Sequence, residues 1–104
     1  VNKSDIIKRA KAAYENIKGS KDLSSTQIRK YMNVVSSAAN LEEYILFIRY
    51  QLRKKQEIAK VFESDLRDIG SHSGSFEESK SNIAYYFGIL FRLFKIGQEV
   101  PIEE

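Results

Sequence analysis

The stretch NLEEYILFIRYQLRKKQEIAKVFESDLRDIG, residues 40–70, decides the fold. It contains no proline, and no glycine before Gly70. Taking about 100° per residue for a helix, Leu41, Tyr44, Ile48, Ala59, Phe62 and Leu66 fall on one apolar stripe that would face a core. Asn40 with Glu43 three residues on forms a capping box, in which side chains satisfy the orphan N–H groups of a helix start. If unbroken, the helix runs from this cap to Ile69, where Gly70 ends it. Almost thirty residues is long for so small a chain, and a break near residues 54–56 is the alternative. The segment opens with Tyr44, Ile45, Leu46, Phe47 and Ile48, apolar nearly all round, so it has to be covered on several sides.

The rest of the chain reads the same way. Its single proline is Pro101, so nothing interrupts helix formation before it. A first helix is expected from Ser4 or Asp5 to Lys18, with Ile6, Ala10, Ala13 and Ile17 on one stripe and Gly19 as its stop. Ser24 with Gln27 makes a second capping box, predicting a helix from Ser25 to Ala39 that buries Ile28, Met32 and Val35. After the polar loop at residues 70–74, Ser75 with Glu78 caps a last helix through Lys95 to Gly97. The expected fold class is all-α, a compact bundle of four to five helices, with the third helix long if continuous. Residues 1–97 form one domain, and 98–104 an acidic, frayed tail.

Composition narrows the function. At 104 residues there is room for one core but not two, and 42% apolar with 30% charged residues marks a globular chain rather than a disordered one. The absence of cysteine excludes disulfides and thiolate metal sites and is compatible with a cytoplasmic setting. No cofactor is expected. The longest apolar run, residues 83–91, is too short to cross a bilayer, and no apolar region follows the N-terminal charges, so neither membrane nor export is expected. The net charge of +3 hides a segregation: residues 1–62 hold 13 Lys/Arg against 6 Asp/Glu, whereas residues 63–104 hold 4 against 8. A basic first half can present a positive surface to a polyanion, an attraction that is independent of sequence and weakened by salt.

Within a continuous third helix, Arg49, Arg53, Lys60 and Arg67 would lie within about 40° of one another and flank the packed face, interrupted by Glu63; a solvated face with local ion pairs is the alternative reading. Lys55 would point nearer the apolar stripe and have to snorkel. Arg29 and Lys30, early in the second helix, suit backbone phosphate contacts. The RNA-contact candidates are therefore Arg29, Lys30, Arg49, Arg53 and Lys54, followed by Lys60 and Arg67. Tyr31, Tyr50, Tyr85 and Tyr86 have two readings, core packing or base stacking. Tyr50 is the stacking candidate, because Arg49 and Arg53 stand close to it in sequence. The last helix is apolar over Ile83, Ala84, Tyr85, Tyr86, Phe87, Ile89, Leu90, Phe91, Leu93 and Phe94. Two such helices are hard to bury in one small bundle, so contact with another protein is expected.

Residues 23–31 read Leu-Ser-Ser-Thr-Gln-Ile-Arg-Lys-Tyr, and this segment resembles the L-T-T-S-(Q/K)-(I/L)-R signature of the small helical subunit of type III-A (Csm-type) CRISPR effector complexes. The match is good over residues 23–35, and Arg29 takes the motif's basic position. A basic, aromatic-containing segment at 48–55 and a Tyr-rich closing helix at 83–95 also fall where the family has them. Family members often carry a Tyr-x-Ala-Gly-Arg-like element in the middle helix; here the region reads Arg-Tyr-Gln-Leu-Arg-Lys-Lys-Gln, and no residue is carried over from it. The resemblance implies a helical, non-catalytic subunit that stacks with further copies of itself beside the RNA-binding backbone subunits. Such a subunit holds guide and target RNA by their backbones, while other subunits cleave.

Other classes fit less of the chain. A helical homodimerisation or adaptor module would use the apolar faces and leave the charges merely solvated. A helix-turn-helix DNA regulator would need a basic reading helix, yet residues 31–39 contain no basic residue. Catalysis would have to centre on His72, the only histidine, which stands in a Ser/Gly loop without a spaced carboxylate cluster.

Overall fold

Side chains that recur at helical spacing fold here into five helices, shown in a computed structural model that describes residues 2–20, 23–72 and 74–99. They are α1 (Lys3–Ile17), α2 (Ser25–Val34, continued by a 3₁₀ turn Val35–Ser37), α3 (Leu41–Gln51), α4 (Gln56–Ser71) and α5 (Phe76–Glu99). The fold is all-α, with no strand among the described residues. The bundle measures 39 × 30 × 20 Å.

The expected starts are built as the side chains dictate. Ser24 Oγ accepts from the Gln27 N–H at 3.3 Å while Gln27 Oε1 accepts from the Ser24 N–H at 2.9 Å. Asn40 Oδ1 accepts from Glu43 at 2.8 Å, and Ser75 Oγ accepts from Glu78 at 3.2 Å. At the first helix the cap is Asn2, one turn ahead of Asp5, so α1 starts earlier than Ser4. Helix ends depart further from expectation. No described glycine adopts positive φ, and α1 ends at Ile17 without a left-handed cap at Gly19. Gly70 lies inside α4, where its missing Cβ leaves room for Leu41 Cδ2, which would stand 2.9 Å from that atom. α5 extends to Glu99, taking two residues assigned to the tail; the other tail residues, 100–104, lie outside the described residues.

The long third helix does not form. The helix stops at Gln51, turns through Leu52, Arg53, Lys54 and Lys55, and resumes antiparallel as α4. A thirty-residue helix would be about 45 Å long, longer than the whole bundle. Folding back instead lets both apolar stripes bury: Tyr44, Ile45, Ile48 and Leu52 from the first half, Ile58, Ala59, Phe62, Leu66 and Ile69 from the second. The break needs no glycine or proline. It falls in the five-residue polar gap between Leu52 and Ile58, with both ends pinned in the core.

α5 is the central helix. α1 runs parallel to it, with Tyr14 edge-on to Phe94; α2 and α4 run antiparallel, with Met32 beside Gly88 and Asp65 bonded to Tyr86. Phe87 lies within 5.0–6.4 Å, centroid to centroid, of Tyr31, Tyr44, Phe62 and Tyr86. Surrounded on several sides, α5 buries Ile83, Tyr86, Phe87, Leu90 and Phe94. This corrects the expectation that two apolar helices overfill one chain. Among the described residues only Leu46, Tyr50 and Ile96 remain as large exposed apolar side chains.

Gly88 sits in the middle of α5, where a Cβ would meet Met32 Sδ at an ordinary 3.6 Å. Alanine restricts the unfolded chain and favours the helix without a clash. Gly88→Ala is therefore expected to stabilise the protein by about 0.5–1 kcal/mol, read as a higher urea midpoint at unchanged slope.

Candidate nucleic-acid interface

The hairpin α3–α4 sets the geometry of the basic residues. Because α4 runs back along α3, Arg49 and Arg67 share one outer face, but they do so among carboxylates. Arg49 reaches Glu63 through two bonds of 2.8 and 2.7 Å. Arg67 holds Glu63 at 3.0 Å and Glu42 at 2.7 and 3.1 Å. The four side chains form a ladder that fastens the hairpin. Hydrogen bonds from Arg67 hold the Glu42 carboxyl below its usual range, and those from Arg49, then Arg67, do the same for Glu63. Both arginines are raised correspondingly, Arg49 by Glu63 and Arg67 by Glu42 and Glu63. All these groups are at the surface, where such pairs contribute little individually and weaken with salt. A further internal pairing takes Arg9, which joins Asp65 at 3.2 Å and also contacts Asp68. Two cations of the first half, Arg9 and Arg49, are thus matched by acids of α4.

Three consecutive cations stand at the turn between α3 and α4. Arg53 and Lys54 are exposed there, and Lys55, expected against the apolar stripe, stands exposed as the residue preceding α4. The turn is internally tied: Lys55 N–H donates to the Leu52 carbonyl at 2.8 Å, Arg53 Nη1 to the Tyr50 carbonyl at 2.9 Å and Gln56 Nε2 to the Arg53 carbonyl at 3.0 Å. A cleft of about 420 Å³ brings Arg53, Lys54 and Lys55 together with Gln51, Leu52 and, from the first turn of α2, Gln27. Lys30, exposed and one helical turn beyond Gln27, lies on the same side of α2. On the opposite side of the turn a second cleft of about 570 Å³ runs between Lys54, Lys55 and Gln56 and the end of α1 at Asn16 and Ile17.

The remaining candidates separate. Arg29 turns to the other flank of α2, its guanidinium 5.8 Å from the centre of the Phe91 ring on α5. Lys60 is exposed on α4, one turn before Glu63 on the face that carries the ladder. The single-helix stripe of Arg49, Arg53, Lys60 and Arg67 is therefore replaced by an acid-matched face and a separate basic turn. Of the four tyrosines, Tyr31 and Tyr86 are fully buried and Tyr85 is half-buried with Lys3 5.3 Å from its ring centre; Tyr50 is 60% exposed. Gln51, which lines the cleft, carried no signal in the sequence, and Gln27 carried only its capping role and its place in the motif of residues 23–31.

His72 Nδ1 stands 2.8 Å from the Asp68 carbonyl at the end of α4, and Asp5, Lys8, Arg9 and Asp68 share a shallow groove with it. Its sequence neighbour Ser73 lies outside the described residues. Among the described residues, no group of three or more His, Cys, Asp or Glu is placed to hold a metal ion, and no helix is long and apolar enough to cross a membrane.

No protein-family model, curated protein or solved structure matches this chain.

Proposed function

We propose that this chain is a non-catalytic subunit that holds RNA by its backbone within a cytoplasmic ribonucleoprotein. The reading extends to the assembly that residues 23–35 resemble, the type III-A CRISPR effector complex of antiviral defence, with guide and target RNA, the backbone subunits and further copies of the chain as partners. One observation carries it. Two stretches distant in sequence, the start of α2 at Gln27 and the basic turn at residues 51–55, meet in one cleft, with Lys30 exposed one helical turn beyond Gln27. Their donors are Lys, Arg and Gln side chains, which suit phosphate oxygens and carry no base information.

The test is a titration of an arbitrary single-stranded RNA across a salt series. Wild type is expected to bind with affinity that falls steeply as salt rises. The combined Lys30→Ala, Arg53→Ala and Lys54→Ala variant, which removes three phosphate contacts, is expected to flatten the slope of log K against log salt by roughly 2. An adaptor that binds only protein would show no RNA affinity even at low salt.

A further inference from the structure

We infer that the outer face of α3 is a base-stacking platform, on which the ring of Tyr50 takes one unpaired nucleobase of the strand held at the basic turn. This rests on the RNA-backbone reading above and adds to it a preference for single strands.

The Tyr50 ring takes no part in the core. Every other described tyrosine or phenylalanine is buried or half-buried, most of them in the ring cluster around Phe87; Tyr50 alone is exposed. Its hydroxyl has no hydrogen bond among the described residues, and the core would lose nothing if the ring were absent. One face of that ring is nevertheless organised. The Arg53 guanidinium lies 4.4 Å from the ring centre and is anchored by its bond to the Tyr50 carbonyl. The cation and the ring therefore form one stack at the surface, where Tyr50 is mostly exposed. Leu46, 64% exposed and one turn earlier on the same side of α3, extends the apolar surface beside the ring.

The chemistry of the occupant follows from size and charge. Two exposed side chains cannot supply the roughly 800 Å² that a stable protein partner covers on each side. They are enough for a single flat, apolar-faced group. Such a group must also be attached to negative charge, because the cations Arg53 and Lys54 stand at the end of the stripe. A nucleobase on a phosphate backbone satisfies both conditions, and any base will do, since each has a π-face. Duplex RNA keeps its bases stacked inside and has none to offer.

The experiment compares three probes on wild type, Tyr50→Phe and Tyr50→Ala: a single-stranded RNA, the same strand with abasic sites throughout, and its duplex. Wild type and Tyr50→Phe are expected to prefer the intact single strand. Tyr50→Ala should lose about 5- to 150-fold in affinity for it, the cost of one stacked base, while its salt slope stays that of wild type. Its affinity for the abasic strand should not change. Equal binding of intact and abasic strands by wild type, with the salt slope preserved, would overturn the platform and leave the phosphate contacts standing; the exposed stripe then belongs to a protein partner. Salt-insensitive or absent binding of every probe would overturn both.

Discussion

Phe87→Ala is expected to cost about 3–5 kcal/mol of stability, the usual loss when a buried phenylalanine leaves a cavity. Phe87 is completely buried at the point where α5 meets α2, α3 and α4, in ring contact with Tyr31, Tyr44, Phe62 and Tyr86. Each of these rings is itself fully buried and approaches Phe87 edge to face. None can close the cavity without giving up its own contacts. Domains of this kind are stable by only about 5–15 kcal/mol, so the variant should lose a large part of the total. Chemical denaturation followed by far-UV circular dichroism reads this as a much lower midpoint. A change under about 1 kcal/mol would mean that the ring cluster repacks, against the close-packed core described here.

The second large effect depends on pH. Arg9 on α1, Asp65 on α4 and Tyr86 on α5 form one polar link across three helices: Arg9 Nη1 donates to Asp65 Oδ1 at 3.2 Å, and the Tyr86 hydroxyl donates to Oδ2 at 2.6 Å. Burial pushes the Asp65 carboxyl above its ordinary range, against the pull of Tyr86 and Arg9, and pushes the Tyr86 hydroxyl well above its own. Asp65 is thus a group whose folded form binds its proton more tightly than the unfolded chain does. Its contribution to stability is fully present below the unfolded value and is lost as pH rises through the folded one.

Arg9→Ala removes the cation that eases this cost. At neutral pH it should destabilise by about 1–3 kcal/mol, as expected when a buried acceptor loses its charged partner. The deficit should narrow as pH falls and Asp65 takes up a proton. Glu42 and Glu63 act in the opposite sense, with lowered values whose contribution is lost in acid, but wild type and variant share them and their effect cancels in the difference. Urea midpoints of the two proteins over a pH series check this. A deficit independent of pH would place the effect of Arg9 in packing and not in its carboxylate contacts.

Local sequence carried most of the fold. The caps at Ser24, Asn40 and Ser75 are side chain to backbone contacts within a few residues, and the apolar stripes of α1, α2 and α4 bury much as their spacing indicates. Met32 is the exception, only partly buried beside Gly88. The hairpin was not legible in the same way. In a continuous helix, Tyr44, Ile48, Phe62 and Leu66 keep one phase, so periodicity alone supports a single rod. Of the two alternatives, the break expected near residues 54–56 is the one that forms, at residues 52–55, and what decides for it is the shared core, a tertiary gain. The charge reading failed at the same place. Arithmetic along one helix put Arg49 and Arg67 in a basic stripe; reversal of the chain set them against Glu63 and Glu42 instead. Arg53 and Lys54 stay clear of those acids because they occupy the turn itself. Gln27 joins them only through the docking of α2, which spacing along α3 cannot reveal.

A charge-matched comparison in the RNA titration separates binding at the turn from binding by net charge. Lys30, Arg53 and Lys54 are replaced by alanine in one protein, and Lys3, Lys8 and Lys11 of α1, the helix that packs on α4 and α5, in another. Both lose three positive charges. The first is expected to bind single-stranded RNA more weakly with a slope flatter by roughly 2, and the second to keep both affinity and slope close to wild type. Equal losses in the two proteins would contradict it, since binding would then follow net charge and not the turn where α2 and the hairpin meet.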